Sequence, residues 1–419
     1  MKLGKKILTI ALLAGTAQVV IAQTPATKAK FGKGIVIEGE NYKMKAAFRF
    51  QSLFTNNWNV RSDDFNYVEG LESNFLVRRA RLKFDGWAYS PKIKYKMELG
   101  LSNRDLSGGD SPEYKNASRM ILDAYIEYNF YKGFSVLAGQ TKLPGNRERI
   151  ISSANMQFVD RSRLNSKFTL DRDMGVMLKH KASIGESLKL KSIYSFAQGA
   201  GRNVTAGNLG GGFSHTFKVE AYPMGDFTSK GDYTGGDLKR EQTPKLAIAA
   251  AYNINTNAVR ERGQNGRFIQ DINGDYVGKT LNSIFVDFMF KYKGFSLMGE
   301  YANRVTADGN EDVLDANDNN NVIGTYFTGS GINLQGGYLF NNNYELAARY
   351  TMITPQTINI GNNESEVGIA FSKYVVGHKL KVQTDIGYRI VENITSAENT
   401  ATTINDDKLF WRMQVDIHF

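Results

Sequence analysis

The chain ends in LFWRMQVDIHF, residues 409–419, and this stretch alternates strictly. Leu409, Trp411, Met413, Val415, Ile417 and Phe419 share one parity, while Arg412, Gln414, Asp416 and His418 share the other. Side chains of a strand point to opposite faces with period two, so the segment reads as a strand with one apolar and one wet side.

The pattern returns throughout the chain. Met44, Ala46, Phe48 and Phe50 alternate with Lys45, Arg49 and Gln51, and Ala80, Leu82 and Phe84 alternate with Arg79, Arg81 and Lys83. Ile93, Tyr95, Met97 and Leu99 alternate with Lys94, Lys96 and Glu98. Roughly sixteen such segments are predicted, each of the ~10-residue length that tilted membrane-spanning strands need. Tight turns (Ser90-Pro91, Lys293-Gly294, Gly377-His378) alternate with long polar loops at 56–74, 102–118, 254–280, 306–324 and 391–407. Short turns at one end and long loops at the other predict an all-β, antiparallel transmembrane barrel over residues 44–419.

One connection, 223–242, is too long for the short-turn end; a hidden hairpin there would raise the count to eighteen strands. Residues 325–340 are rich in glycine and alternate weakly, which suits a wall facing protein rather than lipid. Tyr42, Phe75, Tyr89, Phe130, Tyr292, Phe340 and Tyr374 fall near strand ends and suit an interfacial girdle. Arg78 and Lys373 have outward parity, with side chains long enough to reach the headgroups.

The N-terminus, MKLGKKILTIALLAGTAQVVIAQ, places Lys2, Lys5 and Lys6 before the apolar run Ile7–Leu13 and small residues up to Ala22. This is a signal peptide over 1–22, too short in its apolar part for a ~20-residue spanning helix, followed by a lead over 23–43. The chain has no cysteine, so it has neither disulfides nor thiolate metal sites, and a barrel needs neither because a closed sheet satisfies its own hydrogen bonds without staples. The net charge of +10 includes the three lysines of the leader. Basic residues that alternate with lipid-type side chains, rather than stacking with aromatics on a soluble face, argue against nucleic acid.

Two blocks carry a family resemblance. FLVRRARLKFDGWAYSPKIKYKMELG (residues 75–100) and ILDAYIEYNFYKGFSVLAGQTKLPGNRERIISSANMQFVDRS (residues 121–162) resemble the phosphate-selective porin O/P family. The matching elements are Arg78-Arg79-Ala80-Arg81-Leu82, Asp123-Ala124-Tyr125, and Gly139-Gln140 followed by Lys142 and Pro144. The resemblance implies a homotrimeric, sixteen-stranded outer-membrane porin whose third external loop folds into the lumen. It also implies passage of small anions such as phosphate, and the terminal Phe419 looks like the signal that outer-membrane barrels show to their insertion machinery.

In a water-filled pore, low-dielectric walls focus the field of the lining charges. Arg79, Arg81 and Lys83 are successive inward positions, and Lys94 and Lys96 face inward on the neighbouring strand. These five cations form the expected anion path. Within the basic connection 141–172, Lys142, Arg147, Arg149 and Arg161 are the expected contacts to a passing anion at the constriction. Against high selectivity stand inward acids, for which Glu345 with Arg349, and Asp385 with Lys381 or Arg389, are the expected pairs. A general non-selective porin, or a surface adhesin or assembly component, is the alternative function. No nucleophile has a convincing histidine partner, so no enzyme is expected. The four histidines have no metal-ligand spacing, and no cofactor is expected.

Overall fold

The computed structural model describes residues 31–419 except 62–63, 110, 206–211, 316–317, 358–360 and 393–405. The expected signal peptide lies outside the described residues, as does most of the loop expected at 391–407. The strands are β1 (Ile35–Gly39), β2 (Tyr42–Arg61), β3 (Asp64–Ala88), β4 (Ser90–Gly100), β5 (Ile121–Tyr131) and β6 (Phe134–Lys142). They continue as β7 (Arg172–Ile184), β8 (Leu188–Ala197), β9 (Ser214–Tyr222), β10 (Lys245–Ala258), β11 (Lys279–Tyr292) and β12 (Phe295–Thr306). A side hairpin of β13 (Asp312–Asp315) and β14 (Asp318–Thr325) precedes β15 (Gly329–Leu339), β16 (Tyr344–Pro355), β17 (Asn363–Tyr374), β18 (Leu380–Glu392) and β19 (Asp406–His418).

Sixteen strands, β2 to β12 and β15 to β19, pair antiparallel in a closed ring sealed by β19 against β2. The last residue makes the seam: Phe419 and Phe48 exchange both backbone bonds, at 2.7 and 3.0 Å, and their rings sit 5.4 Å apart. Closure matters because an unpaired backbone group in hydrocarbon costs several kcal/mol, about the scale of a whole side chain's burial. β1 lies outside the ring, paired with the start of β2.

Parity divides the wall as the alternation predicts. On β19, Gln414 and Asp416 are buried in the interior while Met413 and Val415 are exposed outside. Three local readings change. The described residues of the expected 56–74 loop are instead strand, because β2 runs on to Arg61 and β3 starts at Asp64, and 306–324 contains the β13–β14 hairpin. Segment 223–242 adds no strand to the ring; it holds a short 3-10 turn, Thr228–Tyr233, that folds into the barrel. Tyr374 does not join the girdle: it is fully buried on the interior parity and donates to Glu345 Oε2 at 2.5 Å.

Candidate functional site

The connection from β6 to β7 carries two one-turn helices, α1 (Arg147–Ile150) and α2 (Arg163–Lys167), and bonds to inward-parity residues on several sides of the ring. Its partners come from strands all around the barrel. On one side Arg49 of β2 donates to Ser153 Oγ at 2.7 Å, and on another Lys218 of β9 donates to Gly145 O at 2.7 Å. Glu300 of β12 accepts the Glu148 N–H at 2.5 Å, Gln157 donates to Glu345 of β16 at 2.8 Å, and Arg163 forks onto Glu364 of β17 at 2.7 and 2.8 Å. Inward polar side chains are thus the clamps of the loop.

From the short-turn end, segment 223–244 rises to meet it. Gly235 N–H donates to Asn155 O at 2.6 Å, and a Cβ on Gly235 would meet Gln157 N at 2.5 Å, so the approach needs a residue without a side chain. Ile151, Met156, Tyr222, Phe227, Ala247, Met289 and Met298 pack together beneath, with Tyr233 against them. This part of the lumen is filled.

The open space lies on the other side. A cavity of about 740 Å³ is bounded mainly by β3 to β7 and the loop, and cationic residues on its lining outnumber acidic ones fifteen to six. Of the expected path, Arg79, Arg81 and Lys96 line it, as do Lys142, Arg149 and Arg161 of the constriction set. Lys83 and Lys94 do not; Lys83 pairs with Asp85 at 2.9 Å nearer the short-turn end. Arg147 is also absent, and its expected role changes: it is fully buried against Asp287 at 2.6 Å and donates to Asp232 O at 3.1 Å. A cation sealed on both sides anchors the loop and cannot meet a solute.

The lining cations are held in two ways. Some face acids: Arg81 lies 3.2 Å from Glu98 and 3.3 Å from Asp105, Lys96 binds Asp123, Arg172 binds Asp123 at 2.8 Å, and Arg149 binds Asp171. Others donate to carbonyls alone: Lys142 to those of Arg149, Ile150 and Ile151, Arg161 to Glu148 and Ile151, and Arg202 to Asp105 and Arg119. Burial, with Arg149 alongside, pulls the Arg161 guanidinium down to about 9, and burial with Arg119 pulls Arg202 to about 10. In both, burial is the larger cause and a neighbouring cation adds to it, so an anion entering beside either guanidinium would favour its charged form. Burial would raise the loop acids Asp160 and Asp171, but Arg78 with Arg79, and Arg149, hold them well below the usual carboxylate range.

Arg78 is the residue that parity misplaced. The register steps from Gln51↔Arg79 to Ser52↔Val77, leaving Arg78 as the extra residue of a β-bulge that turns it inward. It is buried and donates to both oxygens of Asp160, at 2.9 and 2.7 Å. The signal was the doubled arginine: strict alternation would leave one of them toward lipid, at about 2–4 kcal/mol near the midplane. The acid pairings also differ. Asp385 forks onto Arg412 at 2.7 and 2.8 Å, and Glu366 takes Arg389 at 2.9 Å and Arg349 at 3.2 Å. Residues four apart along one strand are about 13 Å apart, whereas directly paired residues such as Asp385 and Arg412 are about 5 Å apart, so cross-strand pairing wins.

A family model described as phosphate-selective porin O and P matches residues 50–417. No curated protein matches the chain. Among solved structures, the chain resembles an anion-selective porin from Comamonas acidovorans, at 8% identity and TM-score 0.52, covering 90% of this chain and 100% of that one. It also resembles the outer membrane channel DcaP of Acinetobacter baumannii, at 12% identity and TM-score 0.51, covering 92% and 99%. Salmonella typhi OmpF gives 13% identity and TM-score 0.52, covering 92% and 100%. At these identities the structures share the fold.

Proposed function

Because this chain belongs to the phosphate-selective porin O and P family, we propose that it is a passive, anion-preferring outer-membrane channel for small anions such as phosphate. The observation that carries this reading is the fifteen-to-six cationic excess around the cavity. A focused positive field raises the local anion concentration and repels cations. Guanidinium forks suit a tetrahedral oxyanion, since each can give it two parallel hydrogen bonds.

The proposed route runs along Arg79, Arg81 and Lys96, past Lys142, Arg149 and Arg161 at the constriction, with Lys83 and Lys94 toward the exit. No bound cofactor is needed, since the solute's own gradient drives passage. We further propose a homotrimer in the bilayer, a leader over 1–22 removed on export, and insertion directed by the strand that ends at Phe419. The lipid-side depression where Gly336 and Ala348 present little side chain supports protein contact on that wall.

The test is reversal potential in a planar bilayer under a KCl gradient, followed by phosphate titration of the chloride current. Anion-side reversal and a saturable block are expected. Cation-side reversal would refute the reading, and anion preference without any block would leave a general anion porin.

A further inference from the structure

Three glutamines cross the place where the barrel closes. Gln51 of β2, Gln414 of β19 and Gln383 of β18 are all buried on the inward parity. Gln383 and Gln414 are direct partners in the ladder, whereas Gln51, opposite Asp416, reaches Gln414 on the diagonal. Gln51 Nε2 donates to Gln414 Oε1, and Gln414 Nε2 donates to Gln383 Oε1 at 2.6 Å.

Both ends of this row are fixed. At one end Arg79, which lines the cavity, donates through Nη1 to Gln51 Oε1 at 2.6 Å. At the other, Gln383 Nε2 donates to the Gln157 backbone oxygen of the β6–β7 loop at 3.0 Å and to Ser372 Oγ at 2.9 Å. A guanidinium only donates and a peptide oxygen only accepts, so each amide between them turns its oxygen toward Arg79 and its nitrogen toward the loop. Turning Gln414 over would set nitrogen against nitrogen on one side and oxygen against oxygen on the other. Each buried group left unsatisfied costs about 1–3 kcal/mol. Bonds aligned in one direction also polarise one another.

What the row does for the cavity follows from a competition for Arg79. Its Nη2 stands 3.5 Å from Asp160 Oδ1, while Nη1 is held on Gln51 at 2.6 Å. The amide keeps this guanidinium short of a full ion pair, so more of its charge is left to the water column.

We propose that Gln51, Gln414 and Gln383 form a one-way amide relay across the barrel seam, which positions Arg79 in the cavity and registers the loop backbone against it. The inference rests on the anion-channel reading and adds neutral residues that set its selectivity. They are positioning residues, since none of the three lines the cavity.

The experiment measures the chloride-to-potassium permeability ratio from reversal potentials in planar bilayers. Gln51→Met removes the first link, Gln414→Met the second, and Gln383→Met the tie to the loop; methionine keeps the length without the amide. Each should lower the ratio by about threefold, the scale of one net hydrogen bond. The effects should not add: Gln51→Met with Gln383→Met should match Gln51→Met alone, because the links act as one unit. Thr351→Val removes a different buried bond, to Asn333 Oδ1 at 2.9 Å, and should leave the ratio where it is. Should Gln51→Met insert poorly, Gln414→Met with Gln383→Met gives the same comparison from the middle of the row.

A ratio unmoved by Gln383→Met, with wild-type anion preference intact, overturns the relay alone. Additive losses, or an equal fall in Thr351→Val, overturn it as well, because then any buried polar loss would do the same. Cation-side reversal in wild type would instead sink the channel reading on which the inference rests.

Discussion

The walls on the two sides of the lumen carry the same kinds of inward charge and put them to opposite uses. Over most of the wall from β9 to β18 the charges are sealed, Glu366 and Arg389 at the cavity excepted: Lys218, Glu220, Asp287, Glu300, Glu345 and Lys381 are all buried, and many of their bonds run to the crossing loop or to 223–244. From β3 to β7 the charges border open space. A count of inward residues over the whole barrel therefore misleads, because acids that are already paired and dry contribute little to the field in the water column. In the proposed channel, selectivity belongs to the wet wall, and the dry wall holds the shape that makes it narrow.

The largest expected effect comes from removing the filler of the dry side. Replacing 223–244 by a tight turn of the Lys293-Gly294 kind leaves the ring's ladders untouched but opens the space below the loop. Conductance should rise several-fold while anion preference falls, because a wider column screens its wall charges better. Unchanged conductance would mean that ions never depended on that side being filled.

Next is a contrast between two kinds of arginine. Arg147→Ala takes from buried Asp287 its closer partner, leaving only Lys218 at 3.3 Å, and removing one member of a buried pair typically costs about 3–5 kcal/mol. Thermal unfolding in detergent should show that loss. Arg161→Gln with Arg202→Gln removes two cations that donate to carbonyls, orphaning no carboxylate. That double variant should lose less stability than Arg147→Ala yet move the reversal potential toward zero. If the stability and selectivity effects were exchanged between these variants, the division of the lumen would be wrong.

How much of this was legible beforehand follows the range of the forces involved. Parity is local, so the run of spanning strands, the inward faces of β3 and β4, and the last strand ending at Phe419 could be read from spacing. Whether an inward charge meets water is decided by what arrives from elsewhere in the chain. Arg147 and Asp287 are 140 positions apart, and no pattern near either signals their contact. The direction taken by 223–244 is likewise a tertiary matter: its excess length was visible, its inward path was not. Arg78 is the intermediate case: parity set it outward, and although the doubled arginine is a signal of irregularity, only the register turns it inward.

The smallest expected effect is a flat response to acid, and it tests the wet wall most directly. A carboxylate held below its ordinary value keeps its stabilising ion pair above the ordinary range and loses it only as pH falls through the depressed value. Arg78 and Arg79 hold Asp160 that way, and Arg149 holds Asp171. No histidine lines the cavity among the described residues. Between about pH 7 and about pH 5, a window that lies above even an unperturbed aspartate, these loop acids keep their charge. The reversal potential in a KCl gradient should therefore stay put over that window. A swing further toward anions at the acid end would mean that a cavity carboxylate takes up a proton there, so its guanidinium partners do not hold it as the geometry requires.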